Sequence, residues 1–162
     1  NLRGYSSIIH LASIANDPCS DLNPKLSWET SPLASQIIME LALKYKVKQF
    51  IYASSGSVYG IKKEKKVTEE LLPKPISDYN KAKMVTERLL LSYKDRINLS
   101  IIRPGTVCGY SPRMRFDTIV NLLTLQSLMH NRLIIEGGKQ IRPHINIHDL
   151  VNVYIFCLSL VS

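Results

Sequence analysis

Seven glycines are scattered through these 162 residues, and none of them fall in a G-x-G-x-x-G or G-x-x-G-x-x-G spacing. The chain therefore lacks the turn that lets a backbone close on a dinucleotide's pyrophosphate at a helix N-terminus. Cysteine is scarce as well. Cys19, Cys108 and Cys157 are odd in number, far apart and without a C-x-x-C pair. They fit neither a disulfide framework nor a zinc site, and they point to a reducing, cytoplasmic setting. There is no charged-then-apolar leader, no repeat and no low-complexity tract. The apolar stretch Leu150–Ser162 is too short to span a bilayer and is interrupted by Asn152. It reads as a core-facing helix, and no membrane partner is expected. A G-x-S-x-G elbow is absent too, which removes a serine hydrolase from consideration.

What is present is an ordinary globular composition, 45% hydrophobic and 21% charged, with a net charge of +8. Such a charge suits either nucleic acid or a small anionic substrate. The densest cationic cluster, Lys62-Lys63-Glu64-Lys65-Lys66, is mixed with acid, followed by Glu69-Glu70, and has no interleaved aromatics to stack bases. It reads as a solvated loop, and nucleic acid is not expected as a partner. The chain opens at Asn1, without Met and directly into a strand-like pattern, as a fragment or trimmed form would.

Ser6–Ala12 is a short apolar run of the buried parallel-strand kind. Asn16–Pro24, rich in Asn, Asp, Pro and Ser, reads as a loop. From Ser27 to about Tyr45, Leu33, Ile37, Ile38 and Leu41 recur at helical spacing, with Pro32 tolerable near a first turn or at a kink. Val47–Ala53 is the next strand, and Ser54–Ser77 a long loop. Asp78 is placed to cap a helix from Tyr79 to about Tyr93, with Met84, Leu89 and Leu90 as buried candidates. Asn98–Arg103 is a third strand, stopped by Pro104-Gly105. A helix over Asp117–Met129, short strands near Leu133–Glu136 and Arg142–Ile147, and a last helix headed by Asp149 complete the reading. Alternating strands and helices predict an α/β fold, a parallel sheet with crossover helices, whose ligands sit beyond the carboxyl ends of the strands.

Two Y-x-x-x-K matches occur, Tyr59/Lys63 and Tyr79/Lys83. Tyr59 leads into Gly60 and a charged loop, where a spacing of four imposes no common direction. Tyr79 opens a helix, where residues four apart share a face. A free tyrosine titrates at about 10, and a fixed lysine charge nearby favours the phenolate. Tyr79 then accepts a proton from a substrate hydroxyl, Ser55 hydrogen-bonds the same oxygen, and Lys83 supplies the charge. The competing explanation is a surface helix with a chance pair. His144 and His148 lie in a strand-like alternation that puts them roughly 13 Å apart, too far for one metal, so no metal site is expected. His10, in an apolar strand, reads as a packed structural histidine. Arg113 and Arg115 fit phosphate binding or a solvated loop equally.

Together these segments resemble the extended short-chain dehydrogenase/reductase family, in its nucleotide-sugar epimerase/dehydratase branch. The resemblance is carried by Ile9-His10-Leu11-Ala12, Ser54-Ser55-Gly56-Ser57-Val58-Tyr59-Gly60, Tyr79 with Lys83, Arg103-Pro104-Gly105-Thr106-Val107-Cys108-Gly109, and the run from Gly137 to Ile145. It implies a partial Rossmann-like sheet plus the start of a small substrate-binding region. Residues 1–104 would be the carboxyl-terminal portion of the NAD(P)-binding domain, and 105–162 an incomplete substrate-binding region. It also implies roles: Ser55, Tyr79 and Lys83 catalytic; Ala12, Ser54, Tyr79, Lys83 and Pro104 against NAD or NADP; Ser55, Thr106 and Arg142 toward a nucleoside-diphosphate sugar. For Arg142 a pairing with Asp149 is the alternative. Gly56-Ser57 stand where dehydratases commonly carry Asp-Glu, which argues against a 4,6-dehydratase. Thr106 and Ser31 replace asparagines common in relatives. The implied activity is that of an NAD(P)-dependent epimerase or related oxidoreductase on a sugar hydroxyl, with a homodimer as an option for the full-length form. A non-catalytic remnant binding a nucleotide or a protein partner is the other reading.

Overall fold

The computed structural model describes residues 2–160. Asn1, Val161 and Ser162, which enter the readings of the chain's start and of its apolar tail, lie outside the described residues.

Three parallel strands form the main sheet in the order β1-β2-β3: Ser7–His10, Gln49–Ala53 and Asn98–Ile102. Ser7 lies opposite Gln49 and His10 opposite Tyr52; Gln49 lies opposite Asn98 and Ala53 opposite Ile102. The central strand β2 has Gln49, Phe50, Ile51 and Tyr52 all at 0% exposure. That is what a parallel strand covered on both faces demands, and it explains the unbroken apolar run. Phe50 and Tyr52 share a face, where they meet Met39, Ala42, Leu90 and Ile97 in the core. On the opposite face Gln49 donates from Nε2 to the carbonyl of Cys157 at 2.6 Å.

Helix α1 spans Asp17–Leu22 and α2 spans Pro24–Trp28. The segment Asn16–Pro24 is therefore not a loop. Asn16 and Asn23 accept backbone N–H bonds from Cys19 and Leu26 at 2.7 and 3.0 Å, and a proline sits in each first turn. Asn and Pro mark helix starts as readily as they mark turns. The helix expected over 27–45 starts earlier, at Pro24, and changes winding where Pro32 lies. A π-helical turn, Glu29–Leu33, carries Pro32, and α3 runs over Ala34–Lys44. Its buried face is also not the expected one. Ser31, Ser35, Met39 and Ala42 are buried, whereas Leu33, Ile37 and Leu41 are exposed and Ile38 only partly buried. Small side chains let this helix lie close to its neighbours, and the larger apolar stripe points outward.

Helix α4, Asp78–Leu91, is capped by Ser77 and not by Asp78: the Ser77 Oγ accepts from the N–H of Asn80 at 3.2 Å. Leu90 is fully buried, while Met84 and Leu89 are half-buried. A smaller parallel pair joins β4, Thr106–Cys108, to β5, His144–Asn146. No strand forms at Leu133–Glu136, and β4 was not expected. Helix α5 covers Ile119–His130. The last helix, α6, spans Ile147–Ser159 and is headed by Asn146, which accepts from His148 N–H at 2.9 Å. Only Leu150 and Cys157 of α6 are buried; Val153, Ile155 and Phe156 are exposed. No helix among the described residues is long and apolar enough to cross a membrane.

Candidate active site

The site forms where β2 and β3 end. Beyond Ala53 the chain stays locked to its neighbour: Ser54 N–H donates to Ile102 O, and Gly56 N–H donates to Pro104 O, both at 2.8 Å. A Cβ on Gly56 would stand 3.0 Å from that same carbonyl, so the two strand ends meet closely only with glycine here. Ser55, in extended backbone, caps a 3₁₀ turn over Gly56–Tyr59. Its Oγ accepts from Ser57 N–H at 3.2 Å and lies 2.7 Å from Ser57 Oγ. Ser57 in turn donates to Asn80 Oδ1 on α4, next to Tyr79.

On α4, Tyr79 and Lys83 fall on one face. Lys83 is 3% exposed, donates from Nζ to Ala53 O at 2.7 Å, and lies 5.0 Å from the ring centre of Tyr52 and 6.0 Å from that of Tyr79. Burial pulls its ammonium down to about 8, against an opposing pull from Glu87. Tyr79 is half-buried. Burial raises its phenol above the ordinary value, Ser55 hydrogen bonding lowers it, Asp17 raises it and Arg115 lowers it. In the free site, desolvation thus outweighs the groups that favour the phenolate. The other pair does not assemble. Tyr59 is buried and its hydroxyl accepts from Arg103 Nη1 at 2.7 Å, while Lys63 is exposed.

Beneath the pair lies a polar cluster that the sequence reading passed over. Glu87, one turn beyond Lys83 and 2% exposed, accepts from Ser54 Oγ. It also receives Arg103, from Nε at 2.9 Å to Oε1 and from Nη2 at 2.5 Å to Oε2. This bonding holds the Arg103 guanidinium above its ordinary range. The i, i+4, i+8 spacing of Tyr79, Lys83 and Glu87 was the available signal. Arg103 was visible only as part of the segment Arg103-Pro104-Gly105.

The remaining expected residues spread around this centre. Ala12 is exposed just past the end of β1, and Pro104 is half-buried at the end of β3. Thr106 opens β4, with its N–H donating to Pro143 O at 2.9 Å. Arg142, next to Pro143, is exposed and forms no ion pair with Asp149 or with the Ser55–Tyr79–Lys83 group among the described residues. Arg113 is exposed, and Arg115 is held by Asp117 at 2.6 and 2.9 Å. No group of three or more metal-ligating side chains is present among the described residues.

For a dinucleotide cofactor the fit is partial. Lys83 uses one of its three ammonium donors on Ala53 O and is almost wholly covered at 3% exposure. The glycine spacing that cradles a pyrophosphate does not occur in these 162 residues.

A sequence profile described as the NAD dependent epimerase/dehydratase family matches residues 2–161. An uncharacterised UDP-glucose epimerase of Bacillus subtilis is 32% identical over 152 residues, covering 93% of this chain and 48% of the relative. The solved structure of MoeE5 in complex with UDP-glucuronic acid and NAD superposes with a TM-score of 0.84 at 30% identity, over 98% of this chain and 54% of its own. The UDP-glucuronic acid 4-epimerase of Bacillus cereus, with UDP-glucuronic acid and NAD, gives a TM-score of 0.81 at 31% identity, over 94% and 49%. The chain thus spans about half the length of these relatives. With the profile running from end to end of the described fold, the chain belongs to the NAD-dependent epimerase/dehydratase family.

Proposed function

We propose that this chain carries the reaction centre of an NAD(P)-dependent nucleotide-sugar epimerase, or a related oxidoreductase, acting on a sugar hydroxyl. The observation that carries the reading is the convergence of the Ser55 hydroxyl and the Tyr79 phenol above a buried Lys83 at the ends of β2 and β3. Tyr79, once ionised, takes the proton of the sugar hydroxyl, Ser55 holds that oxygen by a hydrogen bond, and Lys83 supplies positive charge beneath both. The nicotinamide cofactor, when bound, supplies the redox chemistry at the adjoining carbon. On this reading Lys83 and Tyr79 meet its ribose, and Ala12, Ser54 and Pro104 line its cleft. Arg142, exposed and uncommitted to Asp149, is suited to a diphosphate through its planar fork of donors. Thr106, whose N–H bonds Pro143 O next to Arg142, is assigned to the same substrate.

The relatives named for UDP-sugars support that substrate class. A division at 104/105 is supported by the two sheets falling on either side of it. A homodimer is supported by the outward stripe of Leu33 in the π-helical turn with Ile37 and Leu41 of α3, and sedimentation equilibrium decides it. Three widely spaced cysteines, none of them disulfide-bonded, support a cytoplasmic setting.

The test is Tyr79→Phe in the full-length protein. Turnover of a UDP-sugar is expected to fall by roughly 10²- to 10⁴-fold with binding of the sugar nucleotide retained; undiminished turnover overturns the reading. A second reading is that this chain binds a nucleotide or partner without catalysis. Calorimetry separates the two: heat with UDP-sugar and none with NAD supports the second.

A further inference from the structure

Tyr79, Lys83 and Glu87 follow one another at one-turn intervals on the buried face of α4. The first two are accounted for by the chemistry proposed above. The third is not. A carboxylate at 2% exposure is costly unless paired and hydrogen-bonded, and Glu87 is satisfied from the ends of two strands at once. Ser54 comes from the end of β2 and Arg103 from the end of β3, while Tyr59 in the 3₁₀ turn accepts from the same guanidinium.

We infer that Glu87 is the positioning residue of this site: its carboxylate bolts α4 to the ends of β2 and β3 and holds Lys83 as an ammonium. The inference rests on the proposed roles of Tyr79 and Lys83 for its functional meaning, but its geometry stands independently. Lys83 donates to Ala53 O, the residue directly before Ser54. Glu87 grips Ser54 itself, so the two α4 side chains hold adjacent residues at the same strand end. Ser55, whose hydroxyl serves Tyr79, comes next in the chain. Losing Glu87 would free the segment that fixes Ser55 against α4.

The charge argument follows from the groups around Lys83. From its own helix it faces Tyr79 and Glu87, from β2 Tyr52, and from β1 His10. Arg103 pairs with Glu87, and Tyr59 accepts from Arg103. Both Tyr52 and Tyr79 are pushed up by burial, so neither carries charge at neutral pH. His10 is pushed down to about 4 and is neutral as well. Among these groups Glu87 is thus the one negative charge, set between the cations Lys83 and Arg103. Replace it by a neutral amide, and a buried and a half-buried cation share the cluster without a counter-charge.

The experiment is an NMR titration of the Lys83 side chain in ¹³C,¹⁵N-lysine-labelled protein, assigned by loss of its signal in Lys83→Met. In Glu87→Gln the titration midpoint of Lys83 is expected to fall by about one pH unit or more. In Glu87→Gln with Arg103→Gln it is expected to move back toward the native value, because the unbalanced guanidinium has gone. A native midpoint in folded Glu87→Gln overturns the inference. Should Glu87→Gln not fold, Arg103→Gln alone supplies the opposite sign. It leaves Glu87 to act on Lys83 undivided, so the midpoint rises, and an unchanged or lowered midpoint overturns the inference. Because the readout is a protonation, it separates from the Tyr79→Phe test. Intact turnover there sinks the proposed chemistry and leaves Glu87 as a structural bolt. An unmoved Lys83 midpoint sinks the role of Glu87 and leaves the chemistry standing.

Discussion

His10 shows how a single side chain in this fold sets a pH limit. It is 4% exposed, its Nε2 lies 2.8 Å from Ser35 Oγ, and its ring stands edge-on to Phe50 with centres 5.9 Å apart. Burial first, and then the Lys83 charge, pushes the imidazole from an ordinary 6.5 down to about 4. Above pH 6.5 it is neutral whether the chain is folded or not, and titration costs nothing. Between 6.5 and 4 the unfolded chain takes up a proton that the fold rejects, so stability falls as pH falls and levels off below about 4. The full loss is of order 3–4 kcal/mol, from a shift worth ~1.4 kcal/mol per unit. Urea melts at pH 7.0 and 4.5 should show this drop in the native protein and a smaller one in His10→Gln; parallel losses would count against it. The apolar strand around His10 made its packing legible from sequence. Its position beside Lys83 was not, because that contact needs β1, β2 and α4 assembled.

At the scale of the element, α4 carries most of the site. Its helical period was enough to separate Tyr79/Lys83 from Tyr59/Lys63, since only a helix gives a spacing of four a common direction. The same period extended one turn further reaches Glu87, but a glutamate on a helix is so common that spacing alone gives no reason to bury it. The helices α1 and α2 were hidden by their own caps, since Asn, Pro and Ser mark loops and helix starts alike. The face of α3 was misread because Ser31, Ser35 and Ala42 pack inward where larger apolar residues were expected. Ser77 ties these elements together: it caps α4 and donates from Oγ to Asp17 in the first turn of α1. Ser77→Ala removes both bonds and is expected to cost about 1–2 kcal/mol, with faster hydrogen exchange in the first turn of α4, where Tyr79 sits. Ser77→Thr should restore most of the stability. A melting temperature unchanged in the alanine variant would show that neither bond contributes.

The whole molecule joins a three-stranded sheet that is well covered to a two-stranded one that is not. Alternation of strands and helices made the first legible, together with the strand ends where the site lies. Three-residue strands such as β4 and β5 are too short to leave a periodic pattern, so the second was seen only in part. What links the two halves is α6, which follows β5 directly yet leans on β2 through the bond from Gln49 Nε2 to Cys157 O. That bond is buried at 0% exposure of Gln49, where no water can replace it. The remaining anchors of α6 are few, since Val153, Ile155 and Phe156 are exposed. Gln49→Met keeps the bulk of the side chain and removes the bond, which is worth about 1 kcal/mol. Amides of α6 are then expected to exchange about fivefold faster, while those of β2, β3 and α4 keep their rates. Equal exchange in α6 of the two proteins would mean that packing by Leu150 and Cys157 alone holds this helix. Acceleration spread evenly over β3 and α4 would mean that Gln49 stabilises the central strand and not the junction between the two halves.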